Sequence, residues 1–155
     1  MRILVTGGAG YIGSQLIRDL GRDPRFAGAC IVIYDSMRDE RYQSLMELPD
    51  GVCYGFIGGD IKDLDGLTAA MADCDVVVHL AALTNAVVSF DRIAETEAIN
   101  FTGTENVVVA ALHSPRVRRV LYASTCSVYG ETSGLVDEDS ECNPESPYAI
   151  NKLEG

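Results

Sequence analysis

The chain has 155 residues, 47% of them hydrophobic, and a formal net charge of −11. That is long and apolar enough to bury the core of one domain, and too acidic for a nucleic-acid surface, which depends on clustered lysine and arginine. Five scattered cysteines without a C-x-x-C pair, and two histidines apart from them, argue for reduced thiols and against a disulfide framework or a metal site; no apolar run nears the roughly 18 residues of a membrane helix, so a soluble cytoplasmic protein is expected.

The first element is a short aliphatic strand, Arg2 to Val5, followed by glycines at Gly7, Gly8, Gly10 and Gly13. Ile12, Leu16, Ile17 and Leu20 then recur at helical spacing up to Gly21. One tight turn needs one or two glycines, and each further glycine in a forming helix costs about 1 kcal/mol against alanine. Something must therefore approach this backbone closely. In the order strand, glycine turn, helix, the first helical turn offers unpaired N–H groups and the positive end of a dipole to a pyrophosphate. Gly7 would allow the turn, Gly10 the approach of the phosphates, and Gly13 the packing of helix on strand.

Further apolar runs follow at Cys30 to Tyr34, Val52 to Ile57, Val76 to Leu80 and Val120 to Ala123, with helical patterns best seen at Leu64 to Met71 and Ile99 to Leu112. This alternation predicts an α/β fold of Rossmann type, a doubly wound parallel sheet in the order 3-2-1-4-5. Ligands in such sheets sit at the carboxyl ends of the strands beside the switch point, here between strands 1 and 4. Those ends carry Thr6-Gly7, Asp35, Gly59-Asp60, Ala81-Ala82 and Ser124-Thr125. Asp35 closes strand 2 about 20 residues beyond the glycine turn, where a carboxylate accepts both hydroxyls of an adenosine ribose and repels a 2′-phosphate. NAD is therefore expected over NADP, with Arg38 near enough to soften the preference; the plainer alternative for Asp35 is a loop residue capping the next segment.

Near the end, SPYAINKLEG places Tyr148 and Lys152 four residues apart. Ser146 suits an N-cap and Pro147 the first helical position, so the two side chains should share a helix face. A free tyrosine titrates near pH 10, and turning one into a base at pH 7 takes about 4 kcal/mol, which a lysine ammonium, a helix N-terminus and a nicotinium ring could supply together. Upstream, Ser124 and Thr125 in LYASTCSVYG offer hydroxyls to a substrate alcohol.

Taken together, TGGAGYIG, Asp35, Gly59-Asp60-Ile61, HLAA at 79–82, Asn100 in NFTGT, STCSVYG and the Tyr148/Lys152 pair resemble the extended short-chain dehydrogenase/reductases, and within them the NAD-dependent epimerase/dehydratase family that acts on nucleotide sugars. The resemblance implies that Gly7, Gly10, Tyr11, Ile12 and Gly13 hold the pyrophosphate and Asp35 the adenosine ribose. Asp60 and Ile61 would flank the adenine, while Leu80, Ala81 and Ala82 line the dinucleotide. Asn100 would support the end of the fourth strand, a helix N-cap being its alternative. Lys152 would bond the nicotinamide ribose and favour the Tyr148 phenolate, Thr125 would be the catalytic hydroxyl with Ser124 beside it, and Tyr148 would take the proton of a sugar hydroxyl, usually at C4.

The 4,6-dehydratases of the family carry Asp-Glu directly after the catalytic threonine, because elimination needs an acid and a base. Cys126-Ser127 stands there instead, which favours an epimerase, although Thr84 occupies the place of a lysine common in galactose-type epimerases. The resemblance further implies that these residues are the NAD-binding part of a longer protein, truncated inside the active-site helix, with a C-terminal substrate-binding domain outside them and a homodimer through the helices at 99–112 and from Tyr148 onward. Two other readings stay open: a non-catalytic NAD-binding module or sensor, and an NAD(P)-dependent reductase of a non-sugar carbonyl.

Overall fold

The computed structural model describes residues 1–155. Its centre is one parallel sheet in the order β3-β2-β1-β4-β5, built from β1 (Arg2–Thr6), β2 (Cys30–Asp35), β3 (Cys53–Gly58), β4 (Val76–His79) and β5 (Arg119–Tyr122). The expected strands and their order are all present, with ends shifted by a residue or two. Register is regular: Leu4 lies between Val32 of β2 and Val77 of β4.

Side-chain alternation along the strands separates two apolar layers. Ile3, Val5, Ile31 and Ile33 face one side and pack with Ile17 of α1 (Tyr11–Arg22). Leu4, Val32, Tyr34 and Val77 face the other and pack with Leu67 and Met71 of α2 (Leu64–Met71) and with Val107, Ala110 and Ala111 of α4 (Gly103–Leu112). The inner strands are thus apolar on both faces because each face is covered. β5, at the edge, leaves Val120 and Leu121 exposed.

The helix expected over Ile99 to Leu112 is longer and less regular. It begins as α3 (Ile93–Glu97), widens into a π-helical segment at Ala98–Thr102 and continues as α4. Polar Glu95, Thr96 and Glu97 hide this start from an apolar-periodicity reading. It also overturns the alternative that Asn100 is an N-cap: the residue lies inside the π segment, fully buried. α5 (Pro147–Glu154) begins as expected, with the Ser146 hydroxyl accepting from Ala149 N at 3.1 Å.

Gly7 makes the turn after β1 with φ +67°, and a Cβ there would come within 2.7 Å of the Ala81 backbone nitrogen. Gly28 has a similar φ, +77°, with open space around it. Both lie in the left-handed region that costs an L-residue roughly 1–2 kcal/mol, so Gly28→Ala should lose about that much unfolding free energy and Gly7→Ala clearly more. Urea denaturation of the two variants measures the difference, and equal losses would show that the Ala81 contact is easily relieved.

Candidate functional site

The carboxyl ends of β1 and β4 open on a cleft of about 630 Å³, within the usual range for small-molecule sites. Gly7, Gly10, Tyr11, Ile12 and Gly13 line it from the first turn, Asp35 from β2, Asp60 and Ile61 from the end of β3, and Leu80, Ala81 and Ala82 from the end of β4. Ser124, Thr125, Tyr148 and Lys152 close its other end. Of the residues to which the resemblance assigns a part in dinucleotide binding or catalysis, only Asn100 does not touch the cleft. Arg38, expected near the Asp35 end, lines it too, as do Met37, Arg41, Lys62 and Leu83, which no sequence signal marked.

At the glycine end, a Cβ on Gly13 would strike the Gly7 carbonyl oxygen, so helix and turn meet at backbone distance. α1 starts from Gly10 without a side-chain cap, leaving first-turn N–H groups for an anion. The Asp35 carboxylate accepts from Ala9 N at 2.9 Å and from Met37 N at 2.8 Å. It therefore braces the glycine turn and its own loop, and each oxygen keeps a lone pair for a further donor. Arg38 is committed elsewhere, 2.6 Å from Glu95 of α3. Asp60 accepts from Lys62 N at 2.9 Å, while Ile61 is buried in the core beside α2 and α4.

At the other end, the Ser146 cap fixes the first turn of α5, and Tyr148 N donates to the buried Ser89 hydroxyl at 3.2 Å. Tyr148 and Lys152 are both buried. Lys152 Nζ donates to the Ala123 carbonyl at 2.8 Å and lies 4.4 Å from the centre of the Tyr122 ring, with no carboxylate paired to it. Burial without a counter-charge pulls its pKa down to about 8. The Thr125 hydroxyl accepts from Ser127 N at 3.2 Å and donates to Ser127 Oγ at 3.3 Å, capping the turn at Cys126–Tyr129.

What the sequence reading missed lies beneath the cleft. His79 is buried, with Nδ1 2.7 Å from Thr6 Oγ1 and Nε2 3.0 Å from Thr104 Oγ1. Thr104 spends its proton on the Asn100 carbonyl at 2.6 Å, so it must accept from Nε2–H. Nδ1 is then the acceptor, and Thr6 donates to it while accepting from Leu80 N and Ala81 N, both at 3.3 Å. An imidazolium would break this direction, and burial, with the Lys152 charge second, lowers the His79 pKa to about 4. Asn100 completes the series, accepting from Leu83 N at 2.8 Å and donating to Leu83 O at 2.9 Å. The signal available was register: His79 ends β4 opposite Thr6 and Tyr122, and its ring stacks on Tyr122 at 5.5 Å.

Both shifts carry a sign. A histidine held near 4 in the fold against about 6.5 when unfolded binds fewer protons than the unfolded chain in that window. Stability should therefore fall from pH 6.5 to 4, by up to about 1.4 kcal/mol per pH unit from this group. Lys152, near 8 against about 10.5, should make stability rise from pH 8 to 10.5. Denaturation across pH for wild type, His79→Gln and Lys152→Met checks this: each variant should flatten its own window, and an unchanged slope would refute the assignment.

Residues 3–155 match the model of the NAD dependent epimerase/dehydratase family. The dTDP-glucose 4,6-dehydratase of Streptomyces niveus is 36% identical over 159 residues, which cover 100% of this chain and 47% of that protein. The UDP-glucose 4-epimerase of Mycolicibacterium smegmatis is also 36% identical, over 100% of this chain and 49% of its own length. A mutant of the Bacillus cereus UDP-glucuronic acid 4-epimerase, solved with UDP-4-deoxy-4-fluoro-glucuronic acid and NAD, matches with TM-score 0.87 and 32% identity over 99% of this chain and 49% of that one. The chain thus spans about half the length of the curated relatives it matches. With the glycine turn, the sheet order and a family match over nearly every residue in agreement, the chain belongs to the NAD-dependent epimerase/dehydratase family.

Proposed function

We propose that the chain is the NAD-binding part of a nucleotide-sugar epimerase that oxidises a sugar hydroxyl, at C4, and re-forms it with inverted configuration. The observation that carries this reading is the convergence of Tyr148, Lys152, Ser124 and Thr125 on the cleft that also holds the glycine turn and Asp35. A module that only bound dinucleotide would have no use for a buried lysine beside a tyrosine and two hydroxyls.

The cleft suits the cofactor by its chemistry. Backbone N–H groups at Gly10 to Gly13 would hold the pyrophosphate, Asp35 the adenosine ribose, Asp60 and Ile61 the adenine edge, Leu80 to Ala82 the dinucleotide wall, and Lys152 the second ribose. NAD, when bound, supplies a reversible two-electron oxidant. Thr125 accepts or donates a hydrogen bond at the reacting hydroxyl. Tyr148 takes the hydroxyl proton and later returns it, and the ammonium of Lys152, buried like Tyr148, favours the phenolate.

Epimerase is favoured over dehydratase by Cys126-Ser127. Cys126 is exposed and Ser127 is engaged with Thr125, so neither supplies the carboxylate acid and base that elimination needs. Two protomers would pair through α4 and α5, where Val108, Leu112, Ile150 and Leu153 are exposed.

The test uses the full-length protein with UDP- and dTDP-sugars. Tyr148→Phe should lower turnover by about 10²–10⁴-fold while NADH still binds; undiminished turnover sinks the catalytic assignment. The product should have the mass of the substrate, whereas one lighter by a water would favour the dehydratase reading. A second experiment addresses the cofactor. Glu95→Gln should free Arg38 and raise the NADPH-to-NADH affinity ratio about two- to fivefold, the scale of an exposed ion pair, and an unmoved ratio would show that Arg38 plays no part in the choice.

A further inference from the structure

The end of the sheet opposite the cleft carries chemistry that the proposed reaction does not use. Cys30 opens β2 and Cys53 opens β3, and the two are register partners in the parallel ladder. Their sulfurs are 3.2 Å apart, the Cys30 thiol donating to Cys53 Sγ. Neighbouring strands run about 4.8 Å apart, within the Cα separation that a disulfide spans, and the sulfurs need close only about 1 Å more to reach bonding distance. Cys53 is exposed and Cys30 partly so. Cys74, by contrast, is buried and bonded to the Ala70 carbonyl.

We infer that Cys30 and Cys53 form an oxidisable dithiol, a modification site for small disulfide oxidants such as oxidised glutathione. The exposed Cys53 thiolate attacks one sulfur of the oxidant, forming a mixed disulfide and releasing one thiolate. The Cys30 thiolate then attacks Cys53 Sγ, forming the Cys30–Cys53 bond and releasing the second. The pair loses two electrons, the oxidant gains them, and the two thiol protons end on the two released thiols. The order follows from access: the exposed Cys53 meets the oxidant first, while Cys30, less exposed and with its thiol pushed up by the Cys53 thiol it bonds to and then by burial, acts second, when its target is already adjacent.

The bond would close the segment between the two strands, which includes Asp35 and all three non-glycine residues with left-handed backbone, Met37, Glu40 and Glu47. Tying its ends restricts the unfolded chain and the opening of this loop. Because the tether lies at the strand starts and Asp35 at a strand end, it would stabilise the fold without entering the cleft.

Treating the protein with oxidised glutathione tests the inference by intact mass, peptide mapping and thermal unfolding. With the exposed Cys126 and Cys142 replaced, Cys126→Ser and Cys142→Ser, the expected product is lighter by two hydrogens, keeps no glutathione, links the Cys30 and Cys53 peptides and melts several degrees higher, all reversed by dithiothreitol. Cys30→Ser should instead retain one glutathione on Cys53, since its resolving thiol is gone. A stable glutathione adduct on Cys30 or Cys53 with both thiols present, a link from either to another cysteine, or no reaction at the pair would overturn the proposal. None of these readouts involves NAD or a sugar, so the result stands apart from the functional reading.

Discussion

A directional run of hydrogen bonds beneath the switch point is the constraint on which the site rests. It passes from the Leu80 and Ala81 amides to Thr6, to His79, to Thr104, to the Asn100 carbonyl, and the Asn100 side chain then clamps Leu83. Here the connections from β1 and β4 leave on opposite faces of the sheet, so the strand ends would otherwise splay. The run joins β1, β4 and the π-helical segment, and its side chains, Thr6, His79, Thr104 and Asn100, are buried, where a broken bond costs the full desolvation of the orphaned group. A neutral His79 is what allows every member to be satisfied at once.

The same dryness governs the other end of the cleft. The Tyr122 ring contacts both a neutral imidazole, His79, and an ammonium, Lys152. With a carbonyl and a ring face as its partners, Lys152 keeps its charge unneutralised by any acid. That arrangement is costly for stability, and a cation without a counter-charge in a partly buried site acts on whatever anion shares it. The local price is met by packing, since α5 is fixed by the Ser146 cap and by Ser89, which anchors the segment after β4 to the Tyr148 amide.

The adenosine side of the cleft is assembled differently, by loops and exposed charge. Asp35 ties two loops together through backbone donors, and the Arg38–Glu95 pair bridges from the loop after β2 to α3. These contacts are solvent-accessible and individually weak. The two halves of the cleft therefore differ in kind, a buried, hydrogen-bonded floor beneath the candidate catalytic groups and a more exposed, charged rim beside the glycine turn.

The strand order, the glycine turn, the cap of α5 and the shared face of Tyr148 and Lys152 were legible in the sequence because each is written in local periodicity or turn chemistry. Thr125 and Ser124 were legible through their place at a strand end. The start of α3 was not, since its polar residues carry no apolar stripe, and a cap stayed open as the alternative for Asn100 because nothing local reveals a π segment. His79 as a neutral relay, the commitment of Arg38 to Glu95, the uncompensated burial of Lys152 and the contact of Cys30 with Cys53 were settled only by the tertiary structure. Each joins residues far apart in the chain, and which partners meet depends on crossovers and strand register, which hydrophobic periodicity does not encode.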